Sequence, residues 1–145
     1  AVDGMGCCYA LRGMHQQAAE KFKQSIQLKP DYALGHLHLA RSLEEMGQGD
    51  MSKSEYFQAA KLDPGCFVPE KEAIELLLKA SDFDLVTTRS LKLLEINPSD
   101  LEARLALARA YKGRNQLQEA LELLQSVVSQ DPENWQAFAS LGQVY

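Results

Sequence analysis

Leu28-Lys29-Pro30, Leu62-Asp63-Pro64, Ile96-Asn97-Pro98 and Gln130-Asp131-Pro132 are four versions of one phrase, each 34 residues after the last. Proline has no N–H and disfavours helical geometry in the residue before it, so each phrase marks the end of a helix. Asp31, Asp63, Asn97 and Asp131 beside those prolines suit a turn and the N-terminus of the next helix. Pro69 alone falls outside the ladder, where it fits the first turn of a helix and its missing donor costs nothing.

Other slots align on the same period. Gly6, Ala40, Ile74, Ala108 and Gly142 share a small-residue position in a first helix. Met5, Leu39, Ala73, Leu107 and Leu141 precede them, and Tyr9, Leu43, Leu77, Tyr111 and Tyr145 follow three residues on. In a second helix the small position reads Ala18, Ser52, Val86, Ala120, with Phe22, Tyr56, Ser90 and Leu124 four residues later. Between the two helices lie Gly13, Gly47-Gln48-Gly49, Ser81-Asp82 and Gly113, all suited to helix C-caps or turns. The spacing predicts nine helices, at roughly 1–12, 15–28, 33–46, 50–62, 68–80, 83–95, 100–113, 116–129 and 134–145. The third repeat diverges most, with Ile74, Val86 and Ser90 at slots that are elsewhere small, small and large.

These residues resemble the tetratricopeptide repeat (TPR) family, whose pattern is W-x2-L-G-x2-Y, then A-x3-F, then P, over 34 residues. The likeness covers the whole chain as four repeats plus the first helix of a fifth. The Trp slot departs from the pattern, holding Val2, His36, Glu70, Arg104 and Phe138. The resemblance implies an all-α fold, a right-handed superhelical solenoid of antiparallel helix hairpins. It would run over residues 1–145 as a single array, with repeats at about 1–32, 33–66, 67–100 and 101–134 and a partial one at 135–145. Both ends cut into a first helix, and the expectation is a piece of a longer array.

Composition narrows the function. The hydrophobic share of 46% and charged share of 24% are ordinary for a soluble globular chain. A net charge of −5 argues against nucleic acid, which needs clustered Lys and Arg to neutralise phosphates. No apolar run approaches a membrane span, so direct membrane insertion is not expected. Cys7, Cys8 and Cys66 form no disulfide framework, which favours a reducing, cytoplasmic setting.

No catalytic, cofactor-binding or metal-ligating constellation stands out along the chain. His36 and His38 are two apart and point in different directions on a helix. His36 sits in the Trp slot and reads as a core histidine. Cys7 and Cys8 are adjacent, lack the spaced partners of a zinc site and read as inert thiols. The Gly4-x-Gly6 and Gly47-x-Gly49 pairs lack the strand and third glycine of a phosphate-binding loop. The expectation is a non-enzyme with no cofactor.

TPR proteins, which this chain resembles, bind partners mainly on a concave surface lined by first helices. The resemblance implies a groove of Leu34, Leu37, His38, Arg41, Lys71, Glu75, Leu105 and Arg109, with Leu37 and Leu105 as apolar anchors and Glu75 between Arg41 and Arg109. Some members grip a C-terminal carboxylate with Lys and Asn residues; those places here hold Asp3, Cys7, His38, Val68 and Glu72, so that clamp is absent. An Asn ladder used by another subgroup is replaced by Gly4, His38, Glu72, Ala106 and Ser140. The expected function is a protein–protein interaction scaffold holding a peptide or helix in the groove. The alternatives are a substrate-recognition arm of a larger multidomain enzyme or of an assembly or secretion machine, and self-association through exposed array ends.

Overall fold

In the computed structural model residues 2–145 are described, and the expected helix start at residue 1 lies outside them. Nine α-helices and no strand occur among the described residues: α1 Val2–Leu11, α2 His15–Leu28, α3 Ala33–Glu45, α4 Gly49–Leu62, α5 Val68–Lys79, α6 Phe83–Ile96, α7 Leu101–Gly113, α8 Leu117–Gln130 and α9 Trp135–Val144. They fall into two compact units, residues 1–73 and 74–145. In the first, α1 packs on α2, α2 on α3 and α3 on α4; in the second, α6, α7, α8 and α9 pack in succession. Each unit also brings alternate helices together, α1 with α3 and α7 with α9.

The four proline phrases end helices as the residue types require. Lys29, Asp63, Asn97 and Asp131 stand at φ −142°, −131°, −134° and −133°, extended backbone that relieves the clash with the following ring. Each donates its N–H to a carbonyl in the last helical turn, at Ser25, Ala59, Leu93 and Val127. Asn97 and Asp131 then accept from the amides of Ser99 and Glu133. Asp100 and Asn134 cap α7 and α9 by accepting from Ala103 and Ala137.

The hairpin turns obey the same register. Gly13 and Gly47 adopt φ +74°, and Ser81 and Asn115 adopt φ 58° and 61°. One left-handed residue therefore recurs in each of the four turns. Glycine takes this conformation without steric penalty and asparagine tolerates it. Gly113 is the last residue of α7, at the helix end expected of it, and its missing Cβ makes room for the Phe83 ring.

The core is built by small residues under large ones. Ala18, Ser52, Val86 and Ala120 are all fully buried, as are Phe22, Tyr56, Ser90 and Leu124 to within 2%. A Cβ on Gly6 would come within 2.5 Å of the Phe22 ring, so α1 and α2 meet only because residue 6 has no side chain. Ser52 keeps its small slot by donating its hydroxyl to the Ala40 carbonyl at 2.7 Å. The buried Tyr56 phenol donates to Glu44 at 2.8 Å, and burial followed by that bond holds its pKa well above the usual phenol range. In the second unit the sizes are exchanged: Ser90 stands at the large slot while Ile74 and Val86 fill the small ones. The Ser90 hydroxyl has no hydrogen-bond partner among the described residues.

Three substitutions test this packing. Gly6→Ala should lower the unfolding free energy by about 1–3 kcal/mol through overpacking. Gly4→Ala, with nothing within 4 Å of its Cβ position, should raise it by roughly 0.5–1 kcal/mol. Ser90→Ala should stabilise by about 1 kcal/mol, because it removes a buried hydroxyl that has no hydrogen-bond partner among the described residues. Urea unfolding checks all three; an equal response at residues 4 and 6 would refute the close approach.

Candidate functional site

The first helices α1, α3, α5, α7 and α9 carry the residues singled out from the sequence. In the first unit, Leu34 is 45% exposed and His38 and Lys71 are half-buried. Arg41 is exposed and makes a two-pronged contact with Glu72 on α5, Nη2 to Oε1 at 2.6 Å and Nε to Oε2 at 3.1 Å. In the second unit Arg109 donates to Glu75 at 3.3 Å, both side chains lying largely in solvent. Arg41 thus pairs with Glu72, and Glu75 serves Arg109.

Leu37 and Leu105 require a correction. They are only 6% and 8% exposed, and Leu105 packs with Ala108, Leu124, Val127 and Ala137 in the core. Their side chains stabilise the hairpins and do not stand out as anchors for a partner. The exposed apolar residue of the set is Leu34.

Arg109 and Glu75 are one full repeat apart, but three other contacts between neighbouring first helices follow a different spacing. Cys7 meets His38, Arg41 meets Glu72 and Lys112 meets Gln143, each pair 31 residues apart. The offset is one repeat less three residues, so a side chain meets the residue nearly one turn back on the next first helix. Glu72 and Gln143 stand at groove positions of the repeat register, but Lys112 was missed; looking for polar pairs at that separation would have found it.

His36 behaves as the core histidine its slot suggested. It is 8% exposed; Nε2 donates to the Pro30 carbonyl at 3.2 Å and Nδ1 lies 2.6 Å from a Glu55 carboxylate oxygen on α4. It ties the turn before α3 to the following helix.

Near the start of the first unit, Asp3, Cys7 and His38 converge. Nδ1 of His38 lies 3.7 Å from the Cys7 sulfur and 3.4 Å from Asp3 Oδ1. Tyr32 donates its hydroxyl to the other Asp3 oxygen at 3.1 Å. Phe22 holds the imidazole, their ring centroids 5.1 Å apart. Burial, then the charge of Asp3, raises the Cys7 thiol pKa. Burial, then the bond to Asp3, raises that of Tyr32.

In the second unit the face of α7 and α9 opens into a cavity of about 280 Å³. Leu78, Phe83, Ala108 and Leu124 supply its apolar lining, and Arg109, Lys112, Ser140 and Gln143 its polar part. The Lys112 ammonium donates to the neutral amide of Gln143.

An array of antiparallel helix hairpins with a 34-residue period, left-handed turn residues in phase and small-on-large packing between helices is an all-α helical repeat protein of the interaction-scaffold type. The Tetratricopeptide repeat family model matches residues 71–143, half of the chain, and the chain belongs to that family. Among solved structures it is similar to MamA from Desulfovibrio magneticus RS-1, with a TM-score of 0.87 and 22% identity over 99% of this chain and 81% of that one. A tetratricopeptide repeat protein from Parabacteroides merdae ATCC 43184 superposes with a TM-score of 0.86 at 17% identity, over 99% of this chain and 56% of that one. YrrB, described as a TPR protein with an unusual peptide-binding site, superposes at 0.81 with 18% identity, over 99% of this chain and 74% of that one. These likenesses establish the fold. Among the described residues no helix is long and apolar enough to cross a membrane.

The Arg41–Glu72 pair is 47% and 31% exposed, so solvent screens it. A double-mutant cycle with Arg41→Ala and Glu72→Ala, read by urea unfolding, should give a coupling of about 0.2–1 kcal/mol that shrinks as salt is added. A salt-independent coupling of several kcal/mol would make the pair a structural strut.

Proposed function

We infer that the chain is an interaction scaffold that holds a peptide on its first-helix face. The cavity in the second unit carries the reading. Its apolar lining can seat one side chain of a partner, while Arg109 and Lys112 stand where an acidic neighbour of that side chain would come. Pockets with a mostly apolar lining and a few convergent polar groups are the usual form of ligand sites. The apolar anchor dominates the affinity of such a contact, and the cations act chiefly on orientation and association rate. The peptide-binding site named for YrrB supports this use of the fold. Glu75 beside Arg109 offsets part of the positive charge, which favours an anchor flanked by one or two acidic residues over a uniformly acidic tail.

Selection from a random peptide library on the intact chain tests this. The enriched peptides should carry a large apolar residue next to Asp or Glu. Ser140→Trp, which fills the cavity, should weaken them more than tenfold, about 1.4 kcal/mol. Arg109→Ala with Lys112→Ala should slow association and flatten its salt dependence. Loss of binding on changing the second-helix residues Lys23 or Lys92, with Ser140→Trp still binding, would move the site to the opposite face and overturn the reading. Purified chain should turn over no small substrate; turnover abolished by a point change within it would also overturn it.

A further inference from the structure

We propose that Asp3, Cys7 and His38 form a binding site for a zinc ion, on the first-helix face of the first unit. Asp3 and Cys7 are one turn apart on α1 and share a face. His38 comes to them from α3. Together they offer a carboxylate oxygen, a thiolate sulfur and an imidazole nitrogen, the three donor types that zinc takes. Their ligand atoms lie within 4.8 Å of one another.

The separations suit a tetrahedral ion. Ordinary zinc bond lengths place sulfur and nitrogen about 3.6 Å apart, and nitrogen and oxygen about 3.4 Å apart, around a tetrahedral centre. The corresponding distances here are 3.7 Å and 3.4 Å. An Asp3–His38 ion pair alone would account for the second distance. A thiol–imidazole hydrogen bond would account for the first. A metal ion accounts for both at once, because all three atoms then share one centre.

The surroundings are those of a metal site. Tyr32 donates to the Asp3 oxygen not aimed at Nδ1, fixing the carboxylate as outer-shell partners do. The Phe22 ring holds the imidazole in place. His38 and Asp3 keep 19% and 21% of their side-chain surface exposed, enough for an ion to enter. Three protein ligands leave a fourth tetrahedral position, for water or for a donor atom of a bound partner. On binding, the Cys7 S–H bond breaks and its proton goes to solvent, while Nδ1 of a neutral imidazole and an ionised Asp3 complete the set.

The test uses the intact, reduced chain after treatment with a chelator. Zinc chloride is titrated by calorimetry and cobalt(II) chloride by absorbance. One ion per chain is expected, with cobalt showing tetrahedral bands and a sulfur-to-metal charge-transfer band. Cys7→Ser should abolish the charge-transfer band, while Cys8→Ser keeps it. Tyr32→Phe should weaken zinc by ~10–100-fold, and Asp3→Asn or His38→Gln by more. Zinc should raise the thermal unfolding midpoint of the parent chain and not that of Cys7→Ser. Circular dichroism of the apo variants checks that they fold; if His38→Gln does not, Cys7→Ser and Asp3→Asn decide. The proposal is overturned if no saturable uptake occurs, if uptake survives Cys7→Ser unchanged, or if the charge-transfer band follows Cys8 or Cys66 instead.

Discussion

The Phe22 ring reaches the backbone of α1 because residue 6 carries no Cβ, and the rest of the array works by variations on that contact. A helix hairpin of this length cannot bury an apolar face by itself. It becomes stable only where a large side chain from one helix enters the space left by a small residue on the next. Ala18, Ala40, Ser52, Ala108 and Ala120 provide such spaces, and Tyr56 and Leu124 are buried as Phe22 is. Ser52 shows how strict the requirement is: a polar residue is accepted at the slot only because its hydroxyl finds the Ala40 carbonyl. The first-helix side chains then take their places as a result of this packing.

Helix positions were legible because they depend on local chemistry that repeats. Proline forces the residue before it into extended geometry wherever it occurs, so Lys29, Asp63, Asn97 and Asp131 have nearly the same backbone. The turn residues were less legible. Gly13 and Gly47 announce a left-handed residue, but Ser81 and Asn115 take the same conformation without the glycine signal. Gly113 ends α7 and is not itself the left-handed residue, and it serves close packing against Phe83 as well. Only the register, carried through from Gly13 and Gly47, identifies Asn115.

The candidate sites were read less well, and the cause is geometric. Aligned rows at one repeat predict which residues lie side by side, yet side chains on a helix lean toward its N-terminus. Some contacts therefore run along a diagonal, from Cys7 to His38 and from Arg41 to Glu72, while Arg109 and Glu75 keep the row. Rows also carry no information on depth, so Leu37 and Leu105 fell among groove residues although they belong to the interior. The meeting of Asp3, Cys7 and His38 has no local spacing to announce it. Two helices separated by an intervening third bring those groups together, and a search for ligand motifs along the chain passes over them.

The exchange of sizes in the second unit gives the array a history that its period conceals. With Ser90 at the large slot and Ile74 and Val86 at the small ones, this repeat reaches a filled core by its own combination. A residue drawn from the matching slot of another repeat, such as the ring of Phe22 or Tyr56, would enter a repeat whose other two slots hold the larger Ile74 and Val86. Substitutions at the three positions are then expected to be epistatic, each acceptable or harmful according to the other two. The hairpins look like interchangeable parts when aligned, but recombination within this one would have to move three residues together.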